Sequence, residues 1–203
     1  MDCVVTKNKE IEKLLACLNI AEPNEFCARV CYNKESTLYE LVNAIREKSK
    51  ETNKKLYITI FDLTNRSKKF INFIKGIATS QEEINKLMEV SNGDNRIVLG
   101  DGTTVDYIIG ANSREIGESI IYFIKKNELG YESNSIHVVL FFIDDSANKE
   151  DLMPICMALN IPREKYLEND RYMIFVFEEK FMPIIQRYAP DFERYIEKFS
   201  LDF

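Results

Sequence analysis

The sequence predicts a three-layer α/β fold: a mainly parallel sheet of about five to six strands covered by helices, with one antiparallel hairpin over residues 96–109. Leu56 to Asp62, Ile136 to Asp145 and Tyr172 to Glu179 are apolar runs that each stop at an acid. Strands buried on both faces read as continuous apolar runs and belong to sheets sandwiched between helices. Each run is followed by a segment of helical character, the alternation that builds βαβ units. The chain of 203 residues is expected to form a single α/β domain, 1–203.

Each element follows from a local signal. Residues 8–19 carry Ile11, Leu14, Leu15 and Leu18 on one stripe and predict a helix. Pro23 and Asn24 end the connection, and residues 25–32 read as a strand. Thr37 and Glu40 have the spacing of a capping box, opening a helix to about Ser49. Strand 55–62 follows. Asn65 is placed to cap a helix carrying Phe70, Phe73, Ile74 and Ile77, and Ser80 with Glu83 forms a second capping-box spacing. Segment 66–91 is therefore expected to be two helices. In the hairpin 96–109, Gly100 and Gly102 mark the turn. Asn112 and Glu115 open a helix to about Asn127. Strand 136–143, helix 149–160 and strand 171–178 come next, then a helical stretch from Pro183 that Pro190 should break or kink. Tyr188, Phe192, Tyr195, Ile196 and Phe199 fit one helical stripe there.

Composition excludes several classes. The longest apolar run, Val138 to Ile143, is far short of the ~20 residues of a membrane-spanning helix. Residues 1–7 lack the basic and apolar regions of a signal peptide. The five cysteines have no paired spacing, which fits reduced thiols in a cytoplasmic protein. One histidine and no CxxC argue against structural zinc. Residues 1–100 carry 16 basic and 14 acidic side chains, and residues 101–203 carry 11 and 19. The acidic second half argues against general nucleic-acid binding and suits a protein partner with a basic surface.

The candidate site is the acidic edge. In parallel sheets, ligands bind at the carboxyl ends of the strands. If the three apolar strands run parallel, Asp62, Asp144, Asp145, Glu178 and Glu179 emerge at one end. Asp62, Asp144 and Asp145 are the candidate Mg²⁺ ligands, with Thr64, Asn65 and Ser146 beside them as ligand-binding groups. The same acids stand just before helices, where they would equally serve as caps. His137, at the start of its strand, lies ~25 Å from Asp145 and does not act with it. The glycine pair Gly100 and Gly102 fits a hairpin turn and lacks the lysine of a phosphate-cradling loop.

With no nucleophile–base pair and no nucleotide loop, the favoured expectation is a non-catalytic, cytoplasmic interaction module of the inhibitor, immunity or regulatory type. Its acidic C-terminal half would face a basic partner, with no cofactor. Two alternatives use the acidic edge: a Mg²⁺-dependent phosphoryl-transfer or phosphodiester-cleaving enzyme, and a small-ligand or nucleotide sensor.

Overall fold

The computed structural model describes residues 8–64, 68–89, 96–109, 112–125, 131–160 and 170–201. The elements are α1 (Lys9–Ile20), β1 (Cys27–Tyr32), α2 (Glu35–Glu51), β2 (Leu56–Asp62), α3 (Lys68–Ile77), α4 (Gln81–Glu89), β3 (Arg96–Val98), β4 (Thr104–Ile109), α5 (Ser113–Lys125), β5 (Ser135–Phe142), α6 (Lys149–Leu159), β6 (Arg171–Glu178), α7 (Met182–Tyr188), α8 (Pro190–Tyr195) and β7 (Glu197–Leu201). The seven strands form one sheet in the order β3-β4-β2-β5-β6-β1-β7. All neighbours are parallel except the β3–β4 hairpin.

Helices cover both faces. One core joins α1, α2, α3 and α4 to Val30, Ile58, Leu140, Phe142 and Ile174 of the sheet. The other joins α5, α6, α7 and α8 to Phe61, Val139, Phe141, Phe175 and Phe177. β5 is the middle strand, buried along its whole length, and its side chains alternate between the two cores. That is why its sequence lacks the polar alternation of a half-exposed strand.

The connections from β1 to β2 and from β2 to β4 move one way across the sheet, with α2, α3 and α4 on the first face. Those from β4 to β5, β6 and β7 move back, with α5 to α8 on the second face. Reversing direction and face together gives every crossover the same hand. It also places helices on opposite faces after β2 and β5, which are hydrogen-bonded neighbours. That juncture is a topological switch point, where open α/β sheets leave a crevice.

Several local expectations need correction. The last helical stretch ends at Tyr195, and Glu197–Leu201 is an edge strand pairing parallel with β1. Phe199 and Leu201 are buried with the half-buried Ser200 between them, an alternation over the last three residues that the helical stripe ending at Phe199 obscured. Helix α2 starts at Glu35, with Lys34 at the cap making no side-chain bond, so Thr37 is a buried first-turn residue rather than a cap. Glu83 accepts from Thr79 N (2.6 Å) and Gly100 N, tying α4 to the hairpin turn, while Ser80 Oγ accepts from Glu83 N at 3.2 Å. In that turn Gly102 has φ of 85°, a conformation that favours glycine. Asn112 caps α5, accepting from Arg114 N and Glu115 N.

The four described cysteines, Cys17, Cys27, Cys31 and Cys156, form no disulfide with one another. Among the described residues no helix is long and apolar enough to cross a membrane.

Candidate functional site

A cleft of about 480 Å³ opens at the switch point, lined by Glu35, Thr64, Lys68, Lys69, Asn72, Ile143, Asp144 and Asp145. It draws on the end of β5, the turn after β2 and the first turns of α2 and α3. An adjoining hollow of about 150 Å³ shares Glu35 and Lys69 and is lined by Tyr32, Asn33, Leu38, Tyr39, Phe73, Phe142 and Glu178. The larger volume lies within the ~300–1,000 Å³ of small-molecule sites.

The predicted acids take three different roles. Asp62 is fully buried. It accepts from Thr64 N (2.7 Å) and Thr64 Oγ1 (2.5 Å), and from the Tyr107 hydroxyl (2.6 Å) of β4. It therefore fixes the turn that presents Thr64 to the cleft. Asp144, at the cleft wall, accepts from Ser146 Oγ (2.5 Å) and Ser146 N (2.8 Å), bonds that lower its pKa. Asp145 meets the ammonium groups of Lys180 and Lys69, which hold its carboxyl down to about 2.

Neither Asp144 nor Asp145 caps the following helix. Asn148 does, in a reciprocal capping box with Asp151. Among the described residues no group of three or more His, Cys, Asp or Glu is placed to hold a metal ion. Asn65, predicted as a cap and ligand group, lies outside the described residues.

At the wall of the cleft, Asp145 and Glu178 meet two lysines that sequence reasoning did not bring to them. Lys69 Nζ lies 2.5 Å from Asp145 and 3.1 Å from Glu178, and Lys180 lies 2.8 Å from Glu178. Burial disfavours the Lys69 charge, but its bonds to Asp145 and Glu178 outweigh that and raise its pKa. Glu35 accepts from the Tyr39 hydroxyl (3.3 Å) and the Asn72 amide (3.4 Å), joining α2 to α3. Lys68 stands exposed at the rim and enters no ion pair among the described residues.

A signal for this cluster was present: Lys68 and Lys69 begin the helix that follows an acid-ended strand. In a parallel sheet, that first helical turn returns to the carboxyl edge.

Part of the acidic second half is matched within the fold. Arg29 pairs with Glu193, Lys55 with Glu132, Lys69 with Asp145 and Glu178, and Arg96 with Asp106. Each pair joins a base before residue 101 to an acid after it, so part of the charge asymmetry is complementarity inside one chain.

His137 lies at the opposite end of β5 from the cleft and is fully buried. Burial, then the charges of Arg171 and Arg96, push its pKa well below 6.5. The unfolded chain therefore takes up a proton near pH 6.5 that the fold refuses. Stability is complete above about pH 6.5 and falls with decreasing pH below it, at up to ~1.4 kcal/mol per unit. Because His137 is the only histidine, urea melts at pH 7 and pH 5 should show this loss and H137F should flatten it. An equal slope in H137F would assign the loss elsewhere.

No protein-family model matches this chain, and no curated protein matches its sequence.

Proposed function

We propose that the chain is a non-catalytic sensor or regulatory protein whose ligand, a small phosphate-bearing molecule of the nucleotide class, occupies the cleft at the carboxyl edge. One observation carries this reading: the cleft lies between β2 and β5, where the chain leaves on opposite faces of the sheet, and cationic and amide donors converge there. Lys68, Lys69 and Asn72 supply donors for a phosphate. Lys69 and Lys180 are matched by Asp145 and Glu178, and Lys68 adds a further cation at the rim. Glu35 and Asp144 offer acceptors for sugar hydroxyls, as acids do beside nucleotides in such sheets. The adjoining hollow has room and aromatic walls for part of a planar ring.

The test is a thermal-shift screen of nucleoside mono-, di- and triphosphates on wild type, K69M and N72L. A native-state ligand at 100 times its Kd stabilises by ~2.7 kcal/mol, so a true ligand raises Tm by several degrees. The rise is expected to disappear in both variants. A rise of equal size in K69M would place the ligand elsewhere.

A docking surface for a basic protein segment is the second reading. It is favoured by a groove of about 410 Å³ between α1 and α2, where Ile11, Leu15 and Ala44 are rimmed by Glu12, Glu40 and Glu47, with Glu51 paired to Lys48.

A further inference from the structure

We propose that the amino-terminal end of the sheet encloses a second site, for a small oxyanion that also carries a hydrogen-bond donor, held by Arg171 and His137. Arg171 is the first residue of β6 and is 2% exposed. None of its three guanidinium nitrogens has a hydrogen-bond partner among the described residues. Its guanidinium faces the rings of Tyr131 (5.2 Å) and Phe123 (5.7 Å), which offset part of a buried positive charge but satisfy none of its N–H groups.

The acid on the neighbouring face of β4 is already committed. Asp106 accepts from Arg96 Nε (2.7 Å), Arg96 Nη2 (3.1 Å) and the Tyr131 hydroxyl (2.9 Å). Burial lowers the Arg171 pKa to about 10, which leaves it charged at neutral pH. A buried, unpaired, fully protonated guanidinium calls for an anion.

His137 supplies the complementary group. Its Nε2 lies 2.9 Å from Ser135 Oγ, and the Ser135 hydroxyl proton is given to the Glu132 carbonyl at 2.5 Å. His137 Nε2 must then carry the hydrogen and donate it to Ser135. Nδ1 is left as an acceptor, and no donor meets it among the described residues. Ser135 pairs directly with Arg171 across β5 and β6. Strand alternation puts Ser135, His137 and Arg171 on one face.

A guanidinium fork matches a carboxylate or phosphate bidentately. A ligand O–H meets Nδ1. Phosphate at neutral pH and a hydroxycarboxylate have both features. Sulfate has the size and shape of phosphate but no proton to give.

The site lies at the other end of the strands from the cleft, so the two are tested separately. Phosphate, glycolate and sulfate are titrated calorimetrically into wild type, R171M and K69M at equal ionic strength. Phosphate or glycolate is expected to keep a saturable site in K69M, whose cleft has lost its lysine, and the tighter of the two identifies the ligand as phosphate or hydroxy acid. Binding should weaken by at least about tenfold in R171M, and sulfate should bind about tenfold more weakly than phosphate, the effect of one unmet buried hydrogen bond. Should R171M fail to fold, wild type labelled with ¹⁵N-arginine gives the same answer: phosphate or glycolate shifts the Arg171 Nε–H resonance and slows its exchange. Binding unchanged in R171M, sulfate equal to phosphate, or no saturable effect of phosphate or glycolate up to about 10 mM, the weak end of specific affinity, would overturn the proposal.

Discussion

Phe141→Ala is expected to lower the unfolding free energy by ~3–5 kcal/mol, the range for a buried aromatic truncated to a cavity. Phe141 is 2% exposed on the middle strand. Its ring stacks on Phe61 of β2 (centroids 5.4 Å apart, 16° between planes) and on Phe177 of β6 (4.6 Å, 5°). Three rings thus form a ladder across three strands on one face of the sheet. Truncating the middle ring removes contacts on both sides, and the backbone ladder keeps the outer two from closing the gap. Denaturant melts give the difference directly. A loss below ~1 kcal/mol would mean that the site collapses freely, which a doubly covered central strand does not allow.

Arg46→Met is expected to cost ~3 kcal/mol, at the low end of the range for breaking a buried ion pair. Arg46 is 7% exposed on α2. It donates from Nε (2.9 Å) and Nη2 (2.7 Å) to Asp101 in the hairpin turn, and from Nη1 to the Ile77 carbonyl (2.5 Å) that ends α3. One side chain thus joins three elements. Burial tends to raise the Asp101 pKa, but the bonds from Thr103 and Arg46 hold it down to about 2. Methionine keeps most of the volume and leaves Asp101 with the exposed Lys50 at 3.3 Å. That remaining partner sets the estimate at the low end. Adding Asp101→Asn to Arg46→Met should cost little more, because the single change has already lost the pair. A double-mutant cycle that sums the two singles would show that the residues act independently.

The layers of the fold were legible because continuous apolar runs have one meaning in a helix-covered sheet. Leu140 and Phe142 face one helical layer while Val139, Phe141 and Ile143 face the other, as a doubly buried strand requires. Strand β7 was less legible. In five residues, Phe199 and Leu201 alternate while Phe199 also continues a helical spacing from Tyr188 and Phe192. Only pairing with β1 decides between them.

The carboxyl edge was legible as a place, and its chemistry was not. Asp62, Asp144 and Asp145 look equivalent in sequence. In the fold they become a buried turn anchor, a local turn acceptor and an ion-pair partner. Their neighbours make that difference, and Lys69 and Lys180 are 76 and 35 residues from Asp145 along the chain. Arg171 had no sequence signal at all, since a lone arginine at a strand start ordinarily faces water.

The most direct test of the ligand-binding reading is a calorimetric titration of the nucleotide that raises Tm most into wild type, K69M and N72L. The expected result is one site per chain in wild type, with affinity lost by about tenfold or more in each variant, as for a charged or amide hydrogen bond removed from a phosphate. Saturable binding that is indifferent to both substitutions, or a Kd weaker than about 1 mM for every nucleotide in the panel, would contradict it.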